Sequence, residues 1–252
     1  MIDYNDYKDF KQIITNNIDD QDENVKIAVE IFATARNLFK YKEKYLSDRT
    51  NKIDNVMQLS IYNLFLVNEL LSNIAINNYI SCFSLIRIII ENINILYFLK
   101  NSNDEINNIY YDYNKLRFIN IWDDQKIKEY EDKYSLKINK NKDKQWIEQA
   151  FKQKNKGYNY IKKCNKNKGF DFFDGWYKSN CNFIHSSISA SQLNTSLFLD
   201  DQKKYKGFIN DFLYFIMRDC HNVFCINQDY LDYDENLEKL LQVIDGFEKE
   251  CD

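Results

Sequence analysis

The chain of 252 residues contains no proline, five glycines and two histidines. Turns depend on glycine and proline for their special backbone angles, so an all-β sandwich or barrel is excluded. No glycine-rich phosphate loop of either the GxGxxG or the GxxxxGK[ST] kind occurs, which argues against dinucleotide-binding folds and P-loop nucleotidases. There is no GxSxG elbow and no run of alternating residues to build strands, so a serine triad has no framework. Six cysteines are present, but no CxxC pair. The opening residues MIDYNDYKDF are polar and acidic rather than leader-like. From this we expect a cytoplasmic protein with reduced thiols.

What is present is apolar and aromatic. Hydrophobic residues make up 44% of the chain and aromatics 16%, including 19 Tyr and 18 Phe, enough to build a substantial core. Asn, Lys, Ile and Tyr are abundant, a bias expected of an AT-rich genome. Apolar residues recur at helical spacing in long segments. One spans about 21–46, with Val25, Ala28, Ile31, Phe32, Ala35, Leu38 and Phe39 on a stripe. The next spans about 52–76, and a third, about 78–100, is apolar nearly all round. Such a helix belongs at the centre of a bundle. Arg87, Glu91, Asn92 and Asn94 fall within it, which argues against a membrane span. Further helices are predicted over 104–120, 172–190, 202–228 and 235–250.

One stretch differs in charge. Residues 136–168 carry 11 Lys against Asp143 and Glu148, a net +9 in a chain whose total is −4. Lys140, Lys142, Lys144, Lys162 and Lys163 stand among Trp146, Phe151, Tyr158 and Tyr160. Lysines interleaved with aromatics suit phosphate neutralisation and base stacking. A solvated loop is the plainer reading. One short helix is predicted there, over 143–154. The fold expected is all-α: one multi-helix domain of residues 1–252, with N-terminal helices over 1–50. Its core bundle spans 51–121 and 172–250, with a basic, partly helical insertion at 122–171.

Three groups of residues bear on chemistry. Arg87 and Glu91 are four apart on one helix face. They are either an ion pair that fixes packing, or the lining of a cleft that positions a ligand or a catalytic histidine. His185, in FFDGWYKSNCNFIHSSISAS, suits proton transfer near neutral pH, with Asn180 and Ser186 able to hydrogen-bond nearby; it can equally be a satisfied core histidine. Cys181, His185, Cys220, His221 and Cys225 offer zinc-ligand chemistry, but their spacing matches no compact zinc module, and no metal or other cofactor is expected.

Two segments together resemble a known family. SLIRIIIENINILYFLK (84–100) is an R-x-x-x-E helix followed by a Tyr/Asp-rich helix, and WYKSNCNFIHSS (176–187) has the order Tyr-x-x-x-Cys-x-x-Ile-His. The pair resembles the bacterial domain-of-unknown-function family numbered fifty-six seventy-seven, which often has Ser where Cys181 stands. That family is all-helical and similar in layout to the HEPN superfamily, which includes ribonuclease toxins and abortive-infection proteins of phage defence. The resemblance implies a metal-independent endoribonuclease in which His185 acts on the RNA 2′-hydroxyl and scissile phosphate. HEPN proteins place an Arg four intervening residues before the His, and here Asn180 occupies that place. Arg87 is then the candidate for the missing charge, with Glu91 orienting Arg87 or His185 and the insertion lysines holding the RNA. The resemblance also implies a homodimer and a regulatory partner such as an antitoxin. The alternative expectation is a non-catalytic helical binding or regulatory module, in which Arg87, Glu91 and His185 form a structural network.

Overall fold

The computed structural model describes residues 50–75, 78–118, 124–135, 137–138, 145–152, 157–165, 175–178 and 202–227. Among these residues there are seven helices and no strand. They are α1 (Asn51–Ala75), α2 (Tyr79–Lys100), α3 (Asp104–Phe118), α4 (Asp124–Tyr134), α5 (Trp146–Ala150), α6 (Tyr158–Cys164) and α7 (Gln202–Asn227). A further helical turn covers 175–178. The protein is an all-α helical bundle, the class its periodicity predicts; the helices expected over 21–46 and 235–250 lie outside the described residues.

Helix α2 is the hub: it packs along α1 and also touches α6 and α7. Its apolar character is used in that packing, since Cys82, Ile86, Ile89, Ile90, Ile93, Leu96 and Leu99 are fully or almost fully buried. Ser81–Lys100 is the one stretch among the described residues long and apolar enough to cross a membrane, and 67% of its most apolar window is buried inside the bundle. Against it α1 supplies Val67, Leu70, Leu71 and Ile74, and α7 supplies Phe212, Leu213, Phe215, Ile216 and Val223. The rings of Phe83 and Phe212 meet edge to face, 5.4 Å between centroids.

The other end of α2 anchors a second part of the core. Ile95, Phe98 and Leu99 pack with Ile109 and Tyr113 of α3, Tyr130 of α4, Trp146 and Ile147 of α5, and Ile161 of α6. Trp146 is only 2% exposed and lies edge to face with Tyr110, 4.8 Å between centroids. Apolar side chains of the basic stretch therefore enter the core, and Trp146 is a packing residue rather than a stacking platform. The stretch forms two short helices, α5 and α6, where one over 143–154 is predicted from sequence.

Helix α4 is the element that periodicity passed over. Its composition is dominated by charge, yet Ile127 and Tyr130, three apart, bury on one face. Asp124 in its first turn and Lys133 in its last complement the helix dipole. Lys133 and the Tyr134 hydroxyl both reach Asp112 of α3, at 2.7 and 2.6 Å. Scarcity of glycine shows at the helix ends. Ser135 after α4 and Lys152 after α5 take the left-handed conformation, with φ of 53° and 51°, where glycine usually stands.

Candidate functional site

The site grows from the polar interruption of α2. Spacing of four along the helix puts Arg87 and Glu91 on one face, with Nε and Oε1 3.6 Å apart. Their side chains keep 28% and 19% of their exposure, so the pair sits at the edge of the core rather than inside it. That face of α2 looks onto a cavity of about 520 Å³.

Helix α6 forms the opposite wall. Two contacts fix it along α2: the buried Tyr158 hydroxyl donates to the Ile90 carbonyl at 3.3 Å, and the Asn165 amide donates to the Asn94 carbonyl at 2.8 Å. These bonds satisfy the buried polar ends of Tyr158 and Asn165 and orient α6, whose Asn159, Tyr160 and Lys163 also line the cavity. Gly157 stands at its margin, and a Cβ there would meet nothing within 4 Å.

The third wall is the turn at 175–178. Trp176 packs at a tilt against Phe212 and Phe215 of α7, 6.2 and 5.4 Å between centroids, which anchors the turn. Its neighbour Tyr177 then reaches α2. The Tyr177 hydroxyl donates to Glu91 Oε1 at 3.3 Å. Its ring lies 5.6 Å from the Arg87 guanidinium carbon and 4.9 Å from Lys162 Nζ. The negative face of an aromatic ring attracts cations at such distances. The same ring packs at a tilt against Tyr158, 5.5 Å between centroids.

The cavity thus joins one carboxylate, Glu91, to two cations, Arg87 and Lys163, with three tyrosines on its walls. An anionic group can meet the guanidinium and the ammonium while a flat ring packs on a phenol. Arg87, Glu91, Lys162 and Lys163 of the sequence-derived set come together here. His185, Asn180, Lys140, Lys142 and Lys144 lie outside the described residues. Tyr158, Tyr160 and Tyr177 carry much of the site. The first two stand out in the sequence only as aromatics among lysines, and Tyr177 only as the first residue of the Tyr-to-His motif.

The sulfur chemistry takes a different course. Cys82 and Cys220 are buried, and Cys164 and Cys225 are exposed. Burial pushes the Cys82 thiol up to about 12, and burial together with the neighbouring Asp219 raises Cys220, so both stay protonated and unreactive. Among the described residues no three His, Cys, Asp or Glu side chains are grouped to hold a metal ion; Cys181 and His185 lie outside them.

Compared with protein-family models, with curated proteins and with solved structures, the chain finds no match in any of the three.

Proposed function

We propose that the chain binds RNA at the Arg87–Glu91–Tyr177 cavity and cuts it without a metal, as a HEPN-like endoribonuclease of the toxin or phage-defence type. The observation that carries this reading is the cavity itself. A guanidinium from the most apolar helix and an ammonium from the most basic stretch line one cavity beside phenols packed at a tilt. A backbone phosphate matches the two cations and a base matches the rings.

In this reading His185 takes the proton from the RNA 2′-hydroxyl, whose oxygen attacks the adjacent phosphorus. The bond to the 5′-oxygen breaks, that oxygen receives a proton, and a 2′,3′-cyclic phosphate remains. Arg87 offsets the charge that builds on the phosphoryl oxygens. Glu91 holds Arg87, Asn180 hydrogen-bonds near the imidazole, and Lys140, Lys142, Lys144, Lys162 and Lys163 track the backbone. A homodimer, a regulatory protein partner and a cytoplasmic setting belong to the same proposal.

A second reading is supported by the Tyr177 hydroxyl on Glu91 and the Tyr177 ring beside Arg87. These contacts lock the pair to the 175–178 turn, as a purely structural network would. Inducible expression of wild type and His185→Ala in a bacterial host separates the two. Under the nuclease reading wild type arrests growth and fragments RNA, in cells and in EDTA buffer, and His185→Ala at equal soluble level does neither. Harmless expression with RNA left intact in EDTA buffer rejects the nuclease.

A further inference from the structure

Four large apolar side chains are exposed among the described residues: Ile61, Tyr62 and Phe65 of α1 and Ile88 of α2, at 36, 47, 52 and 41%. A single exposed apolar residue is ordinary. Here Phe65 is four residues from Ile61 and three from Tyr62, so the three share one helix face. Ile88 comes near the level of Phe65, because α1 and α2 run antiparallel with Cys82 Sγ 4.0 Å from the Leu70 carbonyl oxygen. Grouped exposed apolar side chains mark a surface that something covers.

The other faces of α1 are already taken. Asn55 donates to Asn107 of α3, Asn63 donates to Asp219 of α7, Ser60 accepts from Asn227 of α7, and Leu70 lies against α2. The Phe65 face is the one that no described element covers.

The chain that leads into α1 fits that place. Immediately before α1 stand Ser47, Asp48, Arg49 and Thr50, and before them the helix expected over about 21–46. Thr50 closes the start of α1, its hydroxyl oxygen accepting the Ile53 N–H at 3.3 Å. A connection this short between two helices leaves them antiparallel neighbours. The register agrees. Phe65 is fourteen residues after Asn51, and Phe32 is fourteen before Leu46. At a rise of about 1.5 Å per residue both lie about 21 Å from the connection. Tyr62 and Ala35 are each eleven residues from it, which sets a large side chain level with a small one.

We infer that residues 25–39 seat their apolar stripe on the Ile61–Tyr62–Phe65 face of α1, with Phe32 against Phe65. The C-terminal segment is less well placed to do so. Its chain leaves α7 at Asn227, whose amide donates to the buried Ser60 hydroxyl at 2.8 Å. Ser60 is five residues from Phe65, and so about 140° away around α1.

The full chain with benzoylphenylalanine in place of Phe65 tests this. On irradiation the probe joins covalently to whatever covers the position, and digestion with mass spectrometry identifies the peptide. The expected result is an adduct within one chain to residues 25–39. Phe32→Asp, which sets a charge into the apolar contact, should lower the yield of that adduct several-fold while the far-UV helical signal is kept. Asn37→Asp, on the opposite side of the stripe, should leave the yield unchanged. An adduct joining two chains makes the face a contact between copies and overturns the inference. An adduct to residues 235–250, one confined to α1 and α2, or none at all overturns it equally. An adduct to residues 25–39 that survives Phe32→Asp in a folded chain, or that Asn37→Asp reduces as much, overturns the role of the stripe.

Discussion

Asp219 is a carboxyl group with no exposure at all, on a helix facing the centre of the bundle. Its Oδ2 accepts the Asn63 amide at 2.7 Å, while its Oδ1 and the Asn63 Oδ1 have no partner among the described residues. A neutral acid resolves both vacancies at once, because its hydroxyl can donate to the Asn63 carbonyl oxygen while the amide donates back. Burial raises the carboxyl to about 8, with the Asn63 amide pulling weakly the other way. The folded state therefore keeps a proton that the unfolded chain releases near the ordinary value of 3.8. The stabilisation is fully present below that value, weakens as pH rises, and is lost above about 8. Asp219→Asn keeps the shape and the paired hydrogen bonds without the titration. We expect it to flatten the pH dependence of the urea midpoint between about pH 5 and about pH 8, and to add about 1–3 kcal/mol at the alkaline end. An unchanged slope in the variant would show that another group carries the pH dependence.

At the scale of helices, asparagine joins the elements where apolar contact cannot. Asn107 of α3 is fully buried, and its amide donates to the Leu99 carbonyl at the end of α2 at 3.0 Å. Its own carbonyl accepts the buried Asn55 amide of α1 at 2.8 Å. One residue thereby closes the last turn of α2 and ties three helices. The abundant asparagine of this chain is thus put to structural use at chosen positions. Asn107→Ala removes the amide's bonds to the Leu99 and Asn103 carbonyls and the side-chain acceptor for Asn55, and leaves a small void. A loss of about 2–4 kcal/mol in urea unfolding is expected, with helix content retained in the folded baseline. A loss below about 0.5 kcal/mol would mean that water or a neighbouring amide replaces the side chain.

At the scale of the whole molecule, charge is divided unevenly. The stretch 136–168 carries +9, and the other residues together carry −13. The structure attaches part of the basic stretch to the core through Trp146, Ile147 and Ile161 and turns Lys163 toward the cavity. Under the RNA reading proposed above, the acidic remainder repels the polyanion and the lysine-rich stretch attracts it, which orients any encounter. Lys163 is exposed, so Lys163→Ala should leave thermal stability within experimental error. If Lys163 contacts a phosphate, the logarithmic salt dependence of RNA affinity should become shallower by about 0.7, one single-strand phosphate contact. An unchanged slope would remove Lys163 from the binding face.

Much of the architecture was legible from periodicity alone. The segments predicted over 52–76, 78–100, 104–120 and 202–228 appear as helices within two residues of those bounds, because apolar spacing and the absence of proline leave the chain no other regular structure. Helix α4 was not legible, since two buried side chains, Ile127 and Tyr130, are too few to mark a stripe among charges. Arg87 and Glu91 stood out because charge in an apolar helix is costly and needs a reason. Their surroundings did not. Tyr177 lies 86 residues from Glu91 along the chain, and only the packing of Trp176 on α7 delivers its hydroxyl there. In the same way, composition marks the lysine-rich stretch as basic, but burial decides that Trp146 serves the core while Tyr160 and Lys163 face the cavity. Helix formation is a local property and can be read from neighbours in sequence. A site assembled from α2, α6 and a distant turn depends on which surfaces exclude water together, and only the folded bundle determines that.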